Sequence, residues 1–250
     1  SVCYQNPKAF GSESLYKRLE CESKGLPSSS FEFIPMLFNA SEITELYFAR
    51  KLFVSDNNTA TKYGEWIKDG KYLLTNFRAI TYLFEEYGID LRSRFNTVAE
   101  CEIIKKHYAV FRMKIDLPTR SQFVRHRVNL QELSRRYVSG SKVPFEFYVS
   151  DKMKDVKQTL WIPIDDNTQT SQDVSTEDLI DVCIRHYEQA LKQGVKPEEA
   201  RRIIPQAAYT ELWAGFQPTQ LESFMKLRLD SHSQKEIRLI AEAMKQLMGE

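Results

Sequence analysis

One stretch of the sequence, residues 119–137 (TRSQFVRHRVNLQELSRRY), concentrates side chains that bind anions. It holds five arginines and one histidine, although lysine plus arginine (35) and aspartate plus glutamate (34) nearly cancel over the whole chain. Guanidinium groups match the paired oxygens of a phosphate or carboxylate in a bidentate geometry. We therefore predict a site for a small anionic ligand here. The nearly neutral total argues against a nucleic-acid polymer or an anionic membrane as partner.

Local patterns predict that this stretch is a helix. Pro118 suits a first helical turn, and the helix is expected to continue through residues 119–137. On such a helix Gln122, Arg125 and Asn129 share one face through i,i+3 and i,i+4 spacing. The alternative is a solvated helix face, because runs of charged residues usually face water.

His126 lies between two arginines. Like charges disfavour its protonated form, so we expect a neutral imidazole that takes part in hydrogen bonds. In the solvated alternative, the arginines of the stretch form ion pairs with Glu132. The sequence leaves both interpretations open.

A second polar group lies towards the end of the chain. It contains Arg201, Arg202, Pro205, Arg228, His232, Gln234 and Arg238. Arg228 and His232 are i,i+4 neighbours on a predicted helix, as are Gln234 and Arg238. An exposed helix face is again the alternative.

Other kinds of chemistry find little support in the sequence. The four cysteines are scattered and have no CxxC spacing, so reduced and mostly buried thiols are expected. The four histidines include no HExxH motif, so no metal site is expected. The sequence contains no run of about 18 apolar residues, so no transmembrane helix is expected. The segment SVCYQNPKAF at the start of the sequence lacks the apolar core of a signal peptide. We therefore expect a cytoplasmic protein.

The elements that must position these residues are both helices and strands. Helices are predicted over 12–25, 41–54 and 176–194. Another helix is predicted to start at Pro197, and the segment 218–248 is predicted to be helical with a break near Asp230–Ser231. Strands are predicted over 107–116 and 145–150, and more weakly over 31–38, where Pro35 is unfavourable. A short apolar segment is expected to run into a helix over 71–88, and polar loops are expected over 55–64 and 165–178. The predicted fold class is α+β.

The arginine-rich stretch resembles the signature of the flavin-dependent thymidylate synthases, RHRxxSxNxxSxRY. Here 125-RHR-127 is complete and 132-ELSRRY-137 ends the motif. Two later blocks also resemble the family: 194-GVKPEEARRIIPQAAYTELW-213 matches its "G…AR..LP…T" pattern, and 221-LESFMKLRLDSHSQKEIR-238 matches "L…F…LR…HAQ.EIR". Three blocks in the same order make the resemblance specific.

The resemblance implies both a fold and an activity. The fold would be a single domain over residues 1–250, with an insertion around 40–100 and a mixed or antiparallel sheet packed with long helices. The activity would be the reductive methylation of dUMP to dTMP, with methylenetetrahydrofolate as one-carbon donor and FAD reduced by NADPH. The active sites would be shared between the subunits of a homotetramer.

The resemblance also assigns roles to single residues. The residues matched to the dUMP site are Gln122, Arg125, Glu132, Ser134, Arg135, Arg136, Arg201 and Arg228. Those matched to the FAD site are Arg125, His126, Arg127, Gln131, Glu132 and His232. Arg228 and Ser134 are the candidate catalytic residues. Arg228 is expected to polarise the uracil ring, whereas Ser134 has no adjacent base and is expected to serve as a phosphate-binding hydroxyl.

The chain departs from the family pattern on the flavin side. The segment 128-VNLQEL-133 is one residue shorter than in the family, and Gln131 replaces the motif's Asn. Where the family has Asn-x-Arg for FAD, this chain has 217-QPT-219. The same pattern occurs earlier, at Asn76 and Arg78, which either replace the lost FAD contacts or form an ordinary helix start.

The family's HxxxxEH flavin motif has two candidate matches. The segment 101-CEIIKKH-107 keeps Glu102 and His107, and His107 is then a candidate FAD residue. The segment 27-PSSSFEF-33 keeps only Glu32. The nearby 3-CYQ-5 resembles an early "CYxS" segment of the family and favours the second match.

Three functions are compatible with this pattern. The first is a flavin-dependent dUMP methylase. The second is a related flavin-dependent C5 modification of another pyrimidine nucleotide. The third is a non-catalytic nucleotide-binding paralogue. Flavin stoichiometry separates the third from the others, and product analysis separates the first two.

Overall fold

Three groups of antiparallel strands organise the structure, a computed structural model that describes residues 29–42, 64–163 and 168–249. The strands are β1 Pro35–Asn39, β2 Gly64–Ile67, β3 Tyr72–Asn76, β4 Ala109–Asp116, β5 Asn129–Glu132, β6 Lys157–Pro163, β7 Gln169–Ser175 and β8 Tyr209–Phe216. The first sheet has the order β1-β3-β2, and the second sheet has the order β4-β8-β5. The third group is a ribbon of β6 and β7. All pairings are antiparallel.

Helices cover much of the remaining described chain. The α-helices are α1 Phe77–Tyr87, α2 Val98–His107, α3 Leu117–Phe123, α4 Asp151–Lys154, α5 Thr176–Lys192, α6 Pro197–Ala200, α7 Pro218–Arg228 and α8 Lys235–Leu247. Short 3₁₀ helices occupy Ser29–Phe33, Ala40–Glu42, Val124–His126 and Arg201–Ile203. In the part of the chain that the structure describes, no helix is long and apolar enough to cross a membrane. The mixture of helices and sheets confirms the predicted α+β class.

The second sheet packs its apolar face against α3, α7 and α8. Strand β4 exposes Val110, Arg112 and Lys114, while the alternate residues face inward, as its period of two predicts. Phe216 at the end of β8 and Phe224 on α7 are both fully buried, and their rings pack edge to face at 5.5 Å. Burial of each such ring stabilises the fold by about 1.5–3 kcal/mol. This core fixes α7 relative to the sheet.

The first sheet packs against α1, which begins and ends at the predicted signals. Asn76 Oδ1 accepts a hydrogen bond from the Ala79 amide at 3.0 Å and caps the helix. Gly88 ends the helix in the left-handed conformation, with φ 68°. Pro35 is the first residue of β1, an edge strand, where a missing N–H is tolerated. The predicted helix that ends at Gly88 is therefore confirmed, and the short apolar segment predicted before it forms β3.

The predicted helix through residues 119–137 is wrong beyond its first turns. Helix α3 ends at Phe123, and Arg127 adopts the left-handed conformation with φ 51°. The chain then enters β5, where Asn129 pairs with Gly215 and Glu132 with Leu212 of β8. Backbone pairing with a distant strand thus outweighs local helix propensity. As a result, Gln122, Arg125 and Asn129 do not share a helical face.

Two other predictions need correction. Residues 145–150 form no strand. Their only β-pairing among the described residues is an isolated bridge between Phe147 and Ala208, the residue before β8. The predicted loop over 165–178 contains β7, whose partner β6 was also not predicted. Both ribbon strands are almost entirely exposed, so they lack the apolar alternation that reveals a strand. The strand over 107–116, the helix over 176–194, the start at Pro197 and the broken helix over 218–248 are confirmed.

Several sequence predictions lie outside the described residues. The helix predicted over 12–25 lies entirely there. The helix over 41–54 lies there from residue 43 onward, and the loop over 55–64 lies there except for Gly64.

Candidate functional site

A cleft of about 550 Å³ lies beside β5 and β8 of the second sheet. Its polar lining residues come from α3, β5 and the turn after it, the 3₁₀ turn after α6, and β8. They are Arg120, Glu132, Ser134, Arg135, Arg201, Arg202, Gln206, Tyr209 and Thr210. Four arginines and one carboxylate make this lining cationic. The structure therefore brings together Glu132, Ser134, Arg135 and Arg201 of the predicted dUMP set.

The carboxylate of Glu132 is fixed on the cleft wall by two neighbours. Arg120 donates from Nε and Nη2 to Oε2, at 2.9 and 2.7 Å. Thr210 Oγ1 donates to Oε1 at 3.1 Å. One arginine of the stretch thus pairs with Glu132, as the solvated alternative expected, but the pair lines a cleft rather than a helix face.

Arg135 uses its guanidinium to organise the cleft wall. Nη1 donates to the Val143 carbonyl, and Nη2 donates to the Pro144 carbonyl at 3.1 Å. The same group stacks over the Phe145 ring at 4.1 Å from the centroid. Burial lowers the pKa of Arg135 from its usual value. Its fork is therefore engaged with the segment 143–145, and its predicted contact with dUMP stays a prediction.

Ser134 and the neighbouring arginines lie around a turn. The Ser134 carbonyl accepts from the amides of Tyr137 and Val138, at 3.1 and 3.0 Å. Arg136 Nε pairs with Glu198 Oε2 at 2.8 Å, and Arg201 Nε donates to the Glu198 carbonyl at 3.3 Å. Arg136 and Arg201 are both exposed, and only Arg201 is among the residues that line the cleft.

A second arrangement, the Arg228 cluster, consists of Gln122, His126, Arg228 and Gln234. Arg228 Nε donates to His126 Nε2 at 2.8 Å, and Arg228 Nη2 donates to the Gln122 carbonyl at 3.3 Å. The side-chain Nε2 of Gln122 donates to the side-chain Oε1 of Gln234. Burial, followed by the charge of Arg125, lowers the pKa of Arg228. Residues from the first and last predicted motif blocks are therefore in contact.

His126 is neutral in this arrangement. Burial, followed by the charge of Arg228, lowers the pKa of His126 to about 4. Its ring packs edge to face on Phe224, with the centroids 4.8 Å apart. Because Nε2 accepts from Arg228, the neutral ring carries its hydrogen on Nδ1. The predicted neutral state is confirmed, although its causes are burial and Arg228 rather than the flanking arginines.

Arg125 and Arg127 are the cations of the stretch that remain available. Both are exposed, and neither forms an ion pair with another described residue. Arg127 has φ 51°, a conformation that is uncommon for a residue with a β-carbon and that is typical of functional sites. Its carbonyl accepts from Gln220 Nε2 at 3.3 Å, which ties this bend to α7.

The 3₁₀ helix Ser29–Phe33 contacts β5 where the flavin residues are predicted. Gln131 Nε2 donates to Ser29 Oγ at 2.7 Å, and Asn129 Nδ2 donates to the Glu32 carbonyl at 3.0 Å. Asn129 Oδ1 is buried without a hydrogen-bond partner among the described residues. Residues 27–33 were one of the two candidate matches to the flavin motif, and Ser29 of this segment lies beside Gln131.

Asn76 and Arg78 have defined partners on α1 and in the 3₁₀ helix Ser29–Phe33. Asn76 is buried and caps α1, so an ordinary helix start accounts for its side chain. Arg78 forms an ion pair with Glu32, whose carboxylate is buried. Their proposed contacts with FAD stay predictions.

The two other histidines of the FAD set have partners outside the Arg228 cluster. His107 ends α2, and its Nδ1 contacts the Ile103 carbonyl at 2.8 Å. His232 is almost fully exposed and contacts Asp230 at 2.8 Å. Helix α7 ends at Arg228, so the predicted i,i+4 helical pairing of Arg228 with His232 is wrong. Asp230 and Ser231 lie in the turn that breaks the helix.

The start of α7, where the family has Asn-x-Arg, is engaged by the first sheet. Glu65 of β2 accepts from the Thr219 amide at 3.0 Å and from the Thr219 hydroxyl. Gln217 is buried and caps the helix together with Gln220. A carboxylate therefore lies at this helix N-terminus, where the dipole favours a negative charge.

An α+β protein with a cationic cleft beside an antiparallel sheet is the class that this geometry defines. Comparison with known sequences is more specific. The family described as "Thymidylate synthase complementing protein" matches residues 91–250. The chain belongs to this family.

Three relatives carry the name flavin-dependent thymidylate synthase. The protein of Kosmotoga olearia is 30% identical over 144 residues, which cover 55% of this chain and 61% of the relative. That of Wolbachia pipientis wMel is 33% identical over 146 residues, which cover 54% and 49%. That of Aquifex aeolicus is 32% identical over 132 residues, which cover 51% and 41%. The match thus spans less than two thirds of each relative.

Five polar lining residues of the cleft were missed as site residues, namely Arg120, Arg202, Gln206, Tyr209 and Thr210. Arg120 lies in the arginine-rich stretch and Arg202 beside Arg201, so the charge pattern already contained both. Thr210 carried no signal, because only the pairing of β8 with β5 brings it to Glu132.

Proposed function

We propose that this protein catalyses the reductive methylation of dUMP to dTMP, with FAD, NADPH and methylenetetrahydrofolate. The observation that carries the proposal is the cationic cleft, which gathers predicted nucleotide-binding residues from separate blocks of the chain. A nucleoside monophosphate carries a phosphate dianion, and several converging arginines are the usual means of binding one. Names of relatives and family membership support the same activity.

In the proposed complex, the cleft holds the phosphate and sugar of dUMP. Arg201 and Arg202 supply positive charge at its exposed side, and the Ser134 hydroxyl is available to donate to a phosphate oxygen. Glu132, fixed by Arg120 and Thr210, is an acceptor for a ribose hydroxyl. Because these groups are held in place before the ligand arrives, little ordering is needed on binding.

Arg228 would act on the pyrimidine ring. The neutral His126 accepts one of its N–H groups, and the Gln122 carbonyl accepts another. The guanidinium is thus oriented and keeps its full charge. A preoriented cation of this kind stabilises negative charge that develops on a uracil carbonyl oxygen during attack at the ring.

The donor chemistry of the described residues fits the diphosphate of FAD. Arg125 and Arg127 are exposed, form no ion pair with described residues and flank the neutral His126. These three residues, together with Gln131, would hold the cofactor. When bound, FAD supplies the redox chemistry between NADPH and the one-carbon unit. The start of α7 does not fit a diphosphate, because Glu65 already lies there.

Further parts of the proposal concern the whole molecule. We further propose a single domain over 1–250 with an insertion around 40–100, of which the family match covers residues 91–250. A homotetramer with shared active sites would place further residues around the cleft. A cytoplasmic location agrees with Cys101 and Cys183, which are free thiols.

One experiment tests the cofactor before the activity. The purified protein is incubated with FAD and gel-filtered, and its absorption spectrum is recorded. Flavin retained near stoichiometric amounts supports the flavoenzyme. The same sample is then given dUMP, methylenetetrahydrofolate and NADPH, and the nucleotide products are separated by chromatography. A product other than dTMP points to another C5 modification, and absence of any product contradicts the proposed reaction.

A nucleotide-binding protein without flavin is the second candidate function. It is favoured by the start of α7, where the resembled pattern has Asn-x-Arg for FAD. In this chain Glu65 accepts from the Thr219 amide there, and Gln217 caps the helix. In that case the gel-filtered protein retains no flavin but still binds dUMP. A matched variant, Arg201→Ala, should then weaken dUMP binding, while Arg185→Ala on the exposed face of α5 should not.

A further inference from the structure

A chain of side-chain hydrogen bonds extends the Arg228 cluster to Glu236, in the first turn of α8. Gln122 Nε2 donates to Gln234 Oε1, and Gln234 Nε2 donates to Glu236 Oε2 at 2.8 Å. The Tyr148 hydroxyl donates to the other carboxylate oxygen, Oε1, at 3.3 Å. The chain therefore joins α3, the start of α8 and the segment before α4. The proposed reaction gives neither Glu236 nor Tyr148 a role.

The carboxylate of Glu236 fixes the direction of every hydrogen bond in this chain. An ionised carboxylate can only accept, and the hydrogen bond from Gln234 lowers the pKa of Glu236, which keeps it ionised at neutral pH. Gln234 must therefore turn its NH₂ group to Glu236 and its oxygen to Gln122. Gln122 must in turn donate through Nε2, and its own Oε1 makes no hydrogen bond with a described residue.

Gln122 also contacts Arg228 through its backbone, so an acceptor and a set of donors are neighbours. Arg228 Nη2 donates to the Gln122 carbonyl at 3.3 Å. Two features connect this pair with the cleft. Arg120, which lines the cleft, lies on α3 two residues before Gln122. Tyr209 also lines the cleft, and its ring centroid is 6.3 Å from that of Tyr148.

A donor next to an acceptor can distinguish the bases of pyrimidine nucleotides. Uracil carries an N3–H group between two carbonyl oxygens, so it offers a donor next to an acceptor. Cytosine has an unprotonated N3, which accepts. Uracil can therefore donate from N3 to Gln122 and accept from Arg228, whereas cytosine would bring two acceptors together at N3. A site whose polar groups are left unpaired by the wrong ligand rejects that ligand strongly.

We propose that Glu236 is a positioning residue for recognition of the base. Through Gln234 it holds the carboxamide of Gln122 with the oxygen free, so that the site binds a pyrimidine nucleotide that carries N3–H and rejects a cytosine nucleotide. The inference rests on the proposed function, in which Arg228 acts on the pyrimidine ring. It adds to that function the residue that controls which pyrimidine is bound.

Equilibrium dialysis of the full chain against dUMP and, separately, against dCMP tests this assignment. In Glu236→Gln, the new amide can donate as well as accept, so the amides of Gln234 and Gln122 can turn over and present NH₂ to the base. The ratio of Kd for dCMP to Kd for dUMP should fall at least about tenfold, because N3 of cytosine then meets a donor. The control Glu242→Gln removes an exposed carboxylate further along α8 and should keep the wild-type ratio.

General damage to the site would not reproduce this result. It would weaken the binding of both nucleotides and leave their ratio unchanged, whereas the turned amide should bind dCMP more tightly than the wild type does. The variant Gln122→Met provides a second test, because it removes the acceptor and keeps the backbone carbonyl that contacts Arg228. Its ratio should also fall, and adding Glu236→Gln should change the ratio no further. Circular dichroism verifies that each variant is folded.

Each outcome has a distinct meaning. If the wild type binds dUMP and dCMP equally, or if Glu236→Gln keeps the wild-type ratio, the assignment of Glu236 is overturned while the proposed function stands. A further fall of the ratio when Glu236→Gln is added to Gln122→Met would show that Glu236 acts by another route, and would also overturn the assignment. If the wild type binds neither nucleotide, the proposed function is rejected, and the assignment falls with it.

Discussion

Two regions use their polar side chains in opposite ways. One is the cleft, and the other is the contact between the sheets, where the 3₁₀ helix Ser29–Phe33 and β2 meet β5 and α7. In the cleft, the Ser134 hydroxyl makes no hydrogen bond with a described residue, and the exposed Arg201 and Arg202 use Nε for the Glu198 carbonyl and the Glu199 carboxylate, which leaves their terminal nitrogens for a ligand. At the contact between the sheets, polar groups bind one another: Gln131 to Ser29, and Thr219 to Glu65. Groups of the first kind remain available to a ligand, whereas those of the second kind stabilise the fold.

This difference has a counterpart in the sequence. Of the eight residues matched to the dUMP site, four line the cleft: Glu132, Ser134, Arg135 and Arg201. The departures from the family pattern, at Gln131 and at 217-QPT-219, fall where Ser29 contacts β5 and Glu65 contacts α7. Polar contacts with Ser29 and Glu65 thus occur at the positions where the chain departs from the resembled pattern. The following changes break or sharpen that contrast.

The largest expected effect is at Arg228. In Arg228→Ala, turnover of dUMP should fall by about 10²–10³-fold, since a preoriented donor to developing charge is removed. The measurement is kcat with saturating substrates, and circular dichroism verifies the fold. Arg185→Ala on α5 serves as the control. Turnover at the wild-type rate in Arg228→Ala would remove Arg228 from the mechanism.

The contact between the sheets should respond in stability rather than in nucleotide binding. In Glu65→Ala, the Thr219 amide and hydroxyl lose their acceptor, so the free energy of unfolding should fall by about 1–3 kcal/mol. Urea denaturation measures this change, with the exposed Glu85→Ala on α1 as control. The affinity for dUMP should not change. A large loss of dUMP affinity would show that the two regions are not separate in function.

Arg135 should show an intermediate effect on the cleft. Its fork holds the carbonyls of Val143 and Pro144 and stacks on Phe145. In Arg135→Ala, this wall loses its support, and KM for dUMP should rise by about tenfold with a smaller change in kcat. Arg135→Lys should not restore KM, because an ammonium cannot make the same planar, two-carbonyl contact. Restoration by lysine would instead indicate that only the charge matters.

The smallest effect is the pH dependence that His126 contributes. Its pKa is about 4 in the folded protein, below the usual value of 6.5, so the unfolded state binds the extra proton first. The stabilising contribution is complete above pH 6.5 and is lost as the pH falls towards 4. His126→Gln should therefore flatten the dependence of unfolding free energy on pH between 7 and 5. An unchanged slope would contradict a neutral, buried His126.

Local signals in the sequence were sufficient for elements that are defined by their own ends. Helix α1 follows from Asn76 and Gly88, and the break near Asp230 follows from the turn residues around it. The sequence failed where a distant partner decides the structure. Asn129–Glu132 is a strand because β8 is present, and Thr210 reaches Glu132 for the same reason. The arginine cluster was recognised by composition, but whether an arginine is engaged, as Arg120 and Arg135 are, or exposed, as Arg125 is, depends on carbonyls and carboxylates that only the fold supplies.

The position of β8 has a consequence for the order in which the molecule forms during synthesis. It is the middle strand of the second sheet, with β4 on one side and β5 on the other. Arg112 of β4 meets Glu211 of β8 across 99 positions of sequence. Strands β4 and β5 therefore remain without their shared neighbour until residues 209–216 have left the ribosome. The strands β1, β2 and β3 are complete once residue 76 has left it. Because chains fold from the N-terminus as they are made, the first sheet can assemble before the cleft exists.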